Sequence, residues 1–375
     1  MKALLIFTLW ISRSLCSHAA CAPDTAGIPQ LDEAVRQFMT SYEVPGMTVA
    51  VTRNGKLVYC RGYGYADKEK HQRVTPASLF RLASVSKSIT AVAILKLAEA
   101  GRLSLDDKVF GEGNILGTRY GSHLYSDTLE SVTIRHLLQH TAGGWSNAGT
   151  RDPMFNYAGY SKDSLISAVI DNEPLINKPG AVYAYSNFGY CLLGRVIEKI
   201  SGMSYEQYVK ANVLAPLGIH DMQIGGNTLA DKKDGEVKYY GQHGENPYGF
   251  DLVRMDAHGG WVASATDMAK FLAAIDGFST FPDIISAASI KALTTASTAN
   301  PSYALGLAVN AYHNWWHVGS LPGTASEIIR SAKGFNWVLL CNTRTDKAFF
   351  NDLDGLLWGV VNNPATRWPE TDLFY

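Results

Sequence analysis

The spacing of apolar residues changes twice along this chain, and that change restricts the fold more than any single motif. Near the N-terminus Leu31, Val35, Phe38 and Met39 recur at helical spacing over about residues 30–42, and Pro45-Gly46 ends the run. Met47, Val49 and Val51 then alternate, Asn54-Gly55 supplies a tight turn, and Leu57 to Tyr65 runs back, which predicts a β-hairpin. From about Ser84 to Gly101 the period turns helical, with Ile89, Val92, Ala93 and Leu97 on one side. Further helices are expected at about 133–140, 163–171, 188–200, 204–214 and 266–275; the fourth of these opens with Ser204 and Gln207 at capping-box spacing. Near Tyr303 the period drops to two again, predicting short strands at about 303–312, 315–320, 325–331 and 337–343. Lys333-Gly334-Phe335-Asn336 should turn between the last two, and a helix over 348–361 should close the chain. Strands at both ends with helices between them predict an α+β fold: an antiparallel sheet built from both chain ends, flanked by helices, with a largely helical insertion over roughly 66–300.

Composition removes several classes of partner. Lys+Arg 33 balance Asp+Glu 34 in 375 residues, without a block of like charge, so neither a nucleic-acid-binding face nor an acidic tail is expected. A protein acting on a small-molecule or peptide substrate fits better. The N-terminus reads as an export signal over residues 1–19: Lys2, then an apolar run from Ala3 to Ile11, then small residues, with Ser17 and Ala19 before the cut. That run is too short for a bilayer span of roughly 20 residues, so an exported protein, periplasmic or secreted and without stable membrane insertion, is expected. A lipid anchor on Cys21 is disfavoured by His18, where a leucine is wanted. Residues 22–375 then form one catalytic unit. Cys60, Cys191 and Cys341 stand singly in apolar or small-residue stretches and read as buried small side chains, not as a disulfide framework or a zinc site.

The chemistry-bearing residues fall in three places. In Ser84-Val85-Ser86-Lys87 the hydroxyl and the ammonium are three apart, on one face at the mouth of a helix. Serine needs an adjacent base to act as a nucleophile, and a buried lysine can lose its proton near neutral pH. Free N–H groups at a helix start also face developing negative charge. Alone, this pattern is more often a helix cap with a solvated lysine. Tyr185-Ser186-Asn187, before another helix, offers a phenol for proton transfer and an amide to hold a substrate carbonyl or the lysine. His317-Val318-Gly319-Ser320 lies on an expected strand, where Gly319 permits close approach and the Ser320 N–H can serve as an oxyanion donor.

Taken in order, Ser-x-x-Lys, Tyr-Ser-Asn and His-x-Gly resemble the serine β-lactamase and DD-peptidase superfamily, in the branch of class C β-lactamases, D-alanyl-D-alanine carboxypeptidases and related esterases. The resemblance extends to Phe80-Arg81-Leu82-Ala83, to 137–144, to 259–268 and to Leu339-Leu340-Cys341-Asn342. It implies a β-lactamase/transpeptidase-like fold and an acyl-enzyme on Ser84. Lys87 and Tyr185 would relay the proton, the Ser84 and Ser320 N–H groups would hold the oxyanion, and Asn187, His317 and Gly319 would line the substrate site. No metal or organic cofactor is implied. Small esters or D-aminoacyl amide bonds of the D-Ala-D-Ala type are the expected substrates, as for an esterase or a DD-carboxypeptidase. The alternatives are a β-lactamase, or a silent relative that binds peptides or self-assembles. The chain departs from the class C pattern where Lys-Thr-Gly is usual: His317-Val318 has neither the lysine charge nor the hydroxyl, which disfavours efficient β-lactam hydrolysis.

Other features compete less well. His136 and His140 have a zinc-ligand spacing, but Leu137 stands where a metalloprotease glutamate is needed, and helix surface or turn packing is preferred. Trp315-Trp316 reads equally as a pocket wall or a sheet anchor, while Tyr239-Tyr240 and Tyr248 to Phe250 read as a pocket rim.

Overall fold

Asn54 and Gly55 both adopt positive φ, 49° and 75°, and fold the first strand back on itself. The computed structural model describes residues 27–149 and 152–375; the expected export signal lies outside them. Helix α1 (Pro29–Ser41) starts with proline in its first turn and buries Leu31, Val35 and Phe38. Strands β1 (Gly46–Arg53), β2 (Lys56–Asp67) and β3 (Gln72–Arg73) follow. The helices that lead to the site are α2 (Ser86–Glu99), α3 (Asn187–Ser201) and α4 (Leu252–Gly259). Strands β4 (Ala308–Val309), β5 (Trp315–Leu321), β6 (Thr324–Ser331) and β7 (Phe335–Cys341) then complete the sheet.

The sheet order is β3-β2-β1-β7-β6-β5-β4, with the paired strands antiparallel. The two chain ends therefore meet at β1 and β7, where Val49 lies opposite Leu339. Side chains alternate between two faces, and both faces are covered. Val49, Val51, Trp337 and Leu339 pack on α1 and on Phe349 and Leu353 of the C-terminal helix. Ala50, Cys60, Val338 and Leu340 face the second core, which contains Ile89 and Val92 of α2 and Phe271 and Leu272. Cys191 lies in that core and Cys341 in the first, so all three cysteines pack as small apolar side chains. A smaller three-stranded sheet joins Phe80–Arg81, Trp261–Ala263 and Gln223–Ile224. Among the described residues no helix is long and apolar enough to cross a membrane.

Several elements differ from expectation. The strand expected at 303–312 joins the sheet only at Ala308–Val309, with one isolated bridge from Tyr303 to Ala308, because Gly306 and His313 turn the chain at positive φ on either side. The closing helix divides into Lys347–Gly355 and Trp358–Val361. The helix from Ser204 keeps its capping box but ends at Val209 and widens into a π-turn over Lys210–Leu214. The helix expected at 133–140 covers only Ile134–Leu138, so His136 and His140 share no helical face. His136 caps its own helix, its Nδ1 accepting the Thr133 N–H at 3.2 Å, and His140 is buried beyond the end at positive φ. Phe335 and Asn336 already belong to β7, leaving 332–334 as the turn.

Candidate active site

Ser84 is set at the junction of the two sheets. Phe80–Arg81 pairs with Val262–Ala263, and the Leu82 N–H donates to the Trp261 carbonyl at 2.8 Å. Ala83 then takes a left-handed φ of 46°, a conformation L-residues adopt at a cost of about 1–3 kcal/mol. The 3₁₀ turn Ala83–Val85 leads directly into α2, so Ser84 stands at the helix mouth. Gly319 of β5 presses on this turn: a Cβ there would lie 2.1 Å from the Leu82 carbonyl oxygen and 2.2 Å from Ser326 Oγ. Ser326 Oγ in turn donates to that Leu82 carbonyl at 2.6 Å. The absence of a side chain at 319 thus brings the Gly319-Ser320 edge beside Ser84; the Ser320 side chain is exposed.

Lys87 is fully buried on the first turn of α2. Its Nζ lies 3.0 Å from Ser84 Oγ, 2.7 Å from Asn187 Oδ1 and 2.7 Å from the His258 carbonyl oxygen. The Asn187 amide has a fixed direction, because its Nδ2 donates at 2.6 Å to Asp152 Oδ2, a carboxylate without a hydrogen to give. Asp152 is held by the Met154 N–H at 3.0 Å, and the Asn187 N–H donates to Asn147 Oδ1 at 2.8 Å. Two of the neighbours of Lys87 can therefore only accept. A neutral amine has two hydrogens for them and one lone pair left, which faces the Ser84 hydroxyl. Burial pushes the Lys87 pKa down to about 7, partly opposed by the Asp152 charge.

Tyr185 stacks on this arrangement. Its hydroxyl shares a hydrogen bond with Ser84, and Lys87 Nζ lies 5.0 Å from its ring centre. Burial raises the phenol pKa and the Ser84 contact only partly offsets this, so Tyr185 is a protonated donor near neutral pH. A phenolate that accepts the serine proton is the less stable form. His140 lies against Tyr185 with ring centres 4.2 Å apart, and the His317 ring is 6.3 Å from Tyr185. His317 is buried, its Nδ1 2.8 Å from the Val318 carbonyl oxygen and its Nε2 3.2 Å from the Tyr303 hydroxyl. Burial, then the Lys87 charge, pushes its pKa down to about 3.

The structure thus gathers Ser84, Lys87, Tyr185, Asn187, His317 and Gly319 around one point. Sequence reasoning missed Asp152, Asn147, Tyr303 and the His258 carbonyl. Asp152-Pro153 is a readable cap signal, since Asp152 caps the short helix Pro153–Asn156. The His258 carbonyl had no such signal: it turns to Lys87 because α4 kinks at Asp256, where φ and ψ are 11° and −89°. Tyr239 is a buried support, not a rim residue, lying 4.2 Å beneath the Arg81 guanidinium and donating to Glu236 Oε1 at 2.8 Å. Trp315 packs in the core and Trp316 against the opposite face, so the pair anchors the sheet.

Known proteins share this architecture. The chain is 27% identical over 336 residues to Protein flp of Staphylococcus aureus (strain N315), covering 84% of this chain and 63% of that one. It is 33% identical over 211 residues to Penicillin-binding protein 4* of Bacillus subtilis (strain 168), covering 53% of this chain and 43% of that one. The match thus spans less than two thirds of either curated relative. Among solved structures, the octameric penicillin-binding protein homologue from Pyrococcus abyssi superposes with a TM-score of 0.72 at 28% identity, covering 92% of this chain and 80% of that one. D-amino acid amidase from Ochrobactrum anthropi SV3, at 23% identity, shares the fold with a TM-score of 0.67 over 89% of this chain and 97% of its own. The Beta-lactamase family model matches residues 31–360, nearly the whole described chain, and with the sheet, the helices and the three motif regions in their expected places the chain belongs to that family.

Proposed function

We propose that the chain is a serine hydrolase that forms an acyl-enzyme on Ser84 and cleaves small esters or D-aminoacyl amides. The observation that carries this reading is the setting of Lys87: two acceptor-only neighbours and Ser84 Oγ surround Nζ. Once the ammonium, its pKa pushed down to about 7, gives up a proton, the two acceptors hold the remaining hydrogens and the lone pair turns to Ser84 Oγ. Lys87 removes the Ser84 proton as Oγ bonds to the substrate carbonyl carbon. The Ser84 and Ser320 N–H groups hold the resulting oxyanion. On collapse the carbon–leaving-group bond breaks, the leaving atom takes the Tyr185 proton, and Lys87 returns its proton to Tyr185. Water then releases the acyl group by the same steps in reverse order. Asn187 positions Lys87, and His317 and Gly319 wall the substrate side.

A silent binding role is disfavoured by this alignment, since a structural lysine would be charged and paired with a carboxylate. A β-lactamase role is disfavoured by His317, which offers no charge for a β-lactam carboxylate. Intact-mass spectrometry after incubation with a penicillin and, separately, a p-nitrophenyl ester tests the reading, with Ser84→Ala as control. Ester turnover or an adduct that vanishes in Ser84→Ala supports it; neither turnover nor adduct refutes it. Export remains part of the proposal, and N-terminal sequencing of the mature protein would show a start after Ala19.

A further inference from the structure

His140, Tyr303 and His317 form one hydrogen-bonded line whose two ends are fixed by backbone. At one end the Ser186 N–H, which can only donate, points to His140 Nδ1 at 3.1 Å. His140 therefore carries its hydrogen on Nε2, which lies 3.1 Å from the Tyr303 hydroxyl. At the other end the Val318 carbonyl, which can only accept, lies 2.8 Å from His317 Nδ1, so that nitrogen carries a hydrogen. The Tyr303 oxygen accepts from His140 and passes its own hydrogen to His317 Nε2 at 3.2 Å. His317 is then a neutral imidazole with both nitrogens engaged. The competing arrangement turns the Tyr303 hydrogen to Tyr190, whose own hydroxyl is bonded to the Leu138 carbonyl at 2.8 Å. His317 Nε2 would then be left without a donor, or be bonded to Tyr303 only as an imidazolium.

The surroundings oppose an imidazolium. The titratable groups facing His317 are Lys87 from α2, Tyr185 from the loop before α3, and Tyr303 with His140 behind it. Lys87 is a cation when it is charged at all, and none of the others is anionic near neutral pH. Among the described residues, two arginines near this wall are already engaged. Arg344 donates to the Leu321 carbonyl at 2.8 Å and to Glu245 at 2.6 Å, and Arg81 is buried beside Glu236 at 3.8 Å. A carboxylate brought against this wall would lose hydration and find neither a charge nor a free N–H on His317 in return.

We propose that the His140–Tyr303–His317 line fixes His317 as a neutral wall without a free N–H, so that the site selects acyl substrates whose leaving group bears no carboxylate. Neutral esters and C-terminally blocked amides fit, and peptides ending in a free carboxylate do not. This rests on the acyl-enzyme reading. His140 and Tyr303 are positioning residues for His317.

The test pairs acyl-D-alanyl-D-alanine with the same peptide carrying a C-terminal amide. The amide should be favoured in kcat/KM by about tenfold or more, with the ratio flat from about pH 5.5 to 8 because His317 does not titrate there. Preference for the free acid, or a ratio that swings to the acid as pH falls, overturns the proposal. Independently, ¹⁵N-histidine spectra of the Ser84→Ala protein, assigned with His317→Gln, should show His317 neutral with its hydrogen on Nδ1. Tyr303→Phe should displace the His317 Nε2 and His140 Nε2 resonances together. An imidazolium at pH 7, or Nε2 resonances indifferent to Tyr303→Phe, overturns it too. Turnover of neither peptide would count against the acyl-enzyme reading, and the spectra would still decide the state of His317.

Discussion

Asp152 and Lys87 sit at opposite ends of one carboxamide: Asn187 gives its Nδ2–H to Asp152 Oδ2 at 2.6 Å and offers Oδ1 to Lys87 Nζ at 2.7 Å. The carboxylate therefore acts on the lysine twice, through the direction of the amide and through its charge. Replacing Asp152 with alanine frees Asn187 to turn an NH₂ toward Lys87, which removes one of the two acceptors that aim the lone pair. We expect kcat on a p-nitrophenyl ester to fall about ten- to a hundredfold, the worth of one hydrogen bond to a buried charged group. Lost capping of the short helix Pro153–Asn156 should cost about 1 kcal/mol in a denaturation curve.

The pH profile separates the charge effect from the orientation effect. With Lys87 down to about 7 and required as a neutral base, kcat/KM should rise with pH through about 7 and then level. The Asp152 charge raises the Lys87 pKa, so Asp152→Ala should move the ascending limb to lower pH even as the plateau drops. A limb that stays in place, or moves toward alkali, would assign it to another group.

Stability should carry the same signature in the opposite sense from a salt bridge. Lys87 is depressed from its ordinary 10.5 to about 7, so between these values the unfolded chain holds a proton that the folded chain lacks. Unfolding free energy must then rise with pH across that window, with the full penalty of burying the ammonium present below about 7. In the Ser84→Ala background this contribution should be on the order of a few kcal/mol. Lys87→Met should remove that slope while leaving the Asn187 Oδ1 and His258 carbonyl unpartnered. Urea titrations at pH 6.5 and 9.5 for both proteins provide the comparison.

Those three outcomes depend on residues that are unequally legible in the sequence. Ser84 and Lys87 can be read because a three-residue spacing on a helix has a geometric meaning of its own. The hairpin at Asn54-Gly55 and the strands β5 to β7 are legible for a similar reason, since turn chemistry and period-two patterning are local. The stretch 303–312 misleads because Tyr303, Leu305, Leu307 and Val309 alternate and are all buried, yet of these only Val309 joins the sheet and Leu305 and Leu307 are buried in turns packed in the core. His140 looks like helix surface only while its helix is extended two residues too far. Its true place, between Tyr185 and Tyr303, follows from a chain reversal at positive φ that no periodicity encodes. The His258 carbonyl is the extreme case, a backbone group whose direction depends on a kink two residues upstream.

Gly319 gives the most direct test of how the strand holds the nucleophile. A methyl group there would meet the Leu82 carbonyl oxygen at 2.1 Å, Ser326 Oγ at 2.2 Å and Ala83 Cβ at 3.2 Å. The serine hydroxyl can rotate away, but the carbonyl belongs to a backbone already pinned by the Leu82 N–H bond to Trp261 and followed by the left-handed Ala83. Gly319→Ala must therefore push β5 off the Ser84 turn, carrying the Ser320 N–H out of reach of the oxyanion. We expect a loss of about 1–3 kcal/mol from overpacking and a fall in kcat of about a hundredfold or more from the displaced donor. Ser326→Ala alone should cost only about 1 kcal/mol, the worth of its bond to Leu82. Combining it with Gly319→Ala relieves one clash and leaves the backbone clash in place. The double variant should recover part of the stability and little of the rate; full recovery of turnover would show that Ser326, and not the Leu82 backbone, sets the spacing of the strand.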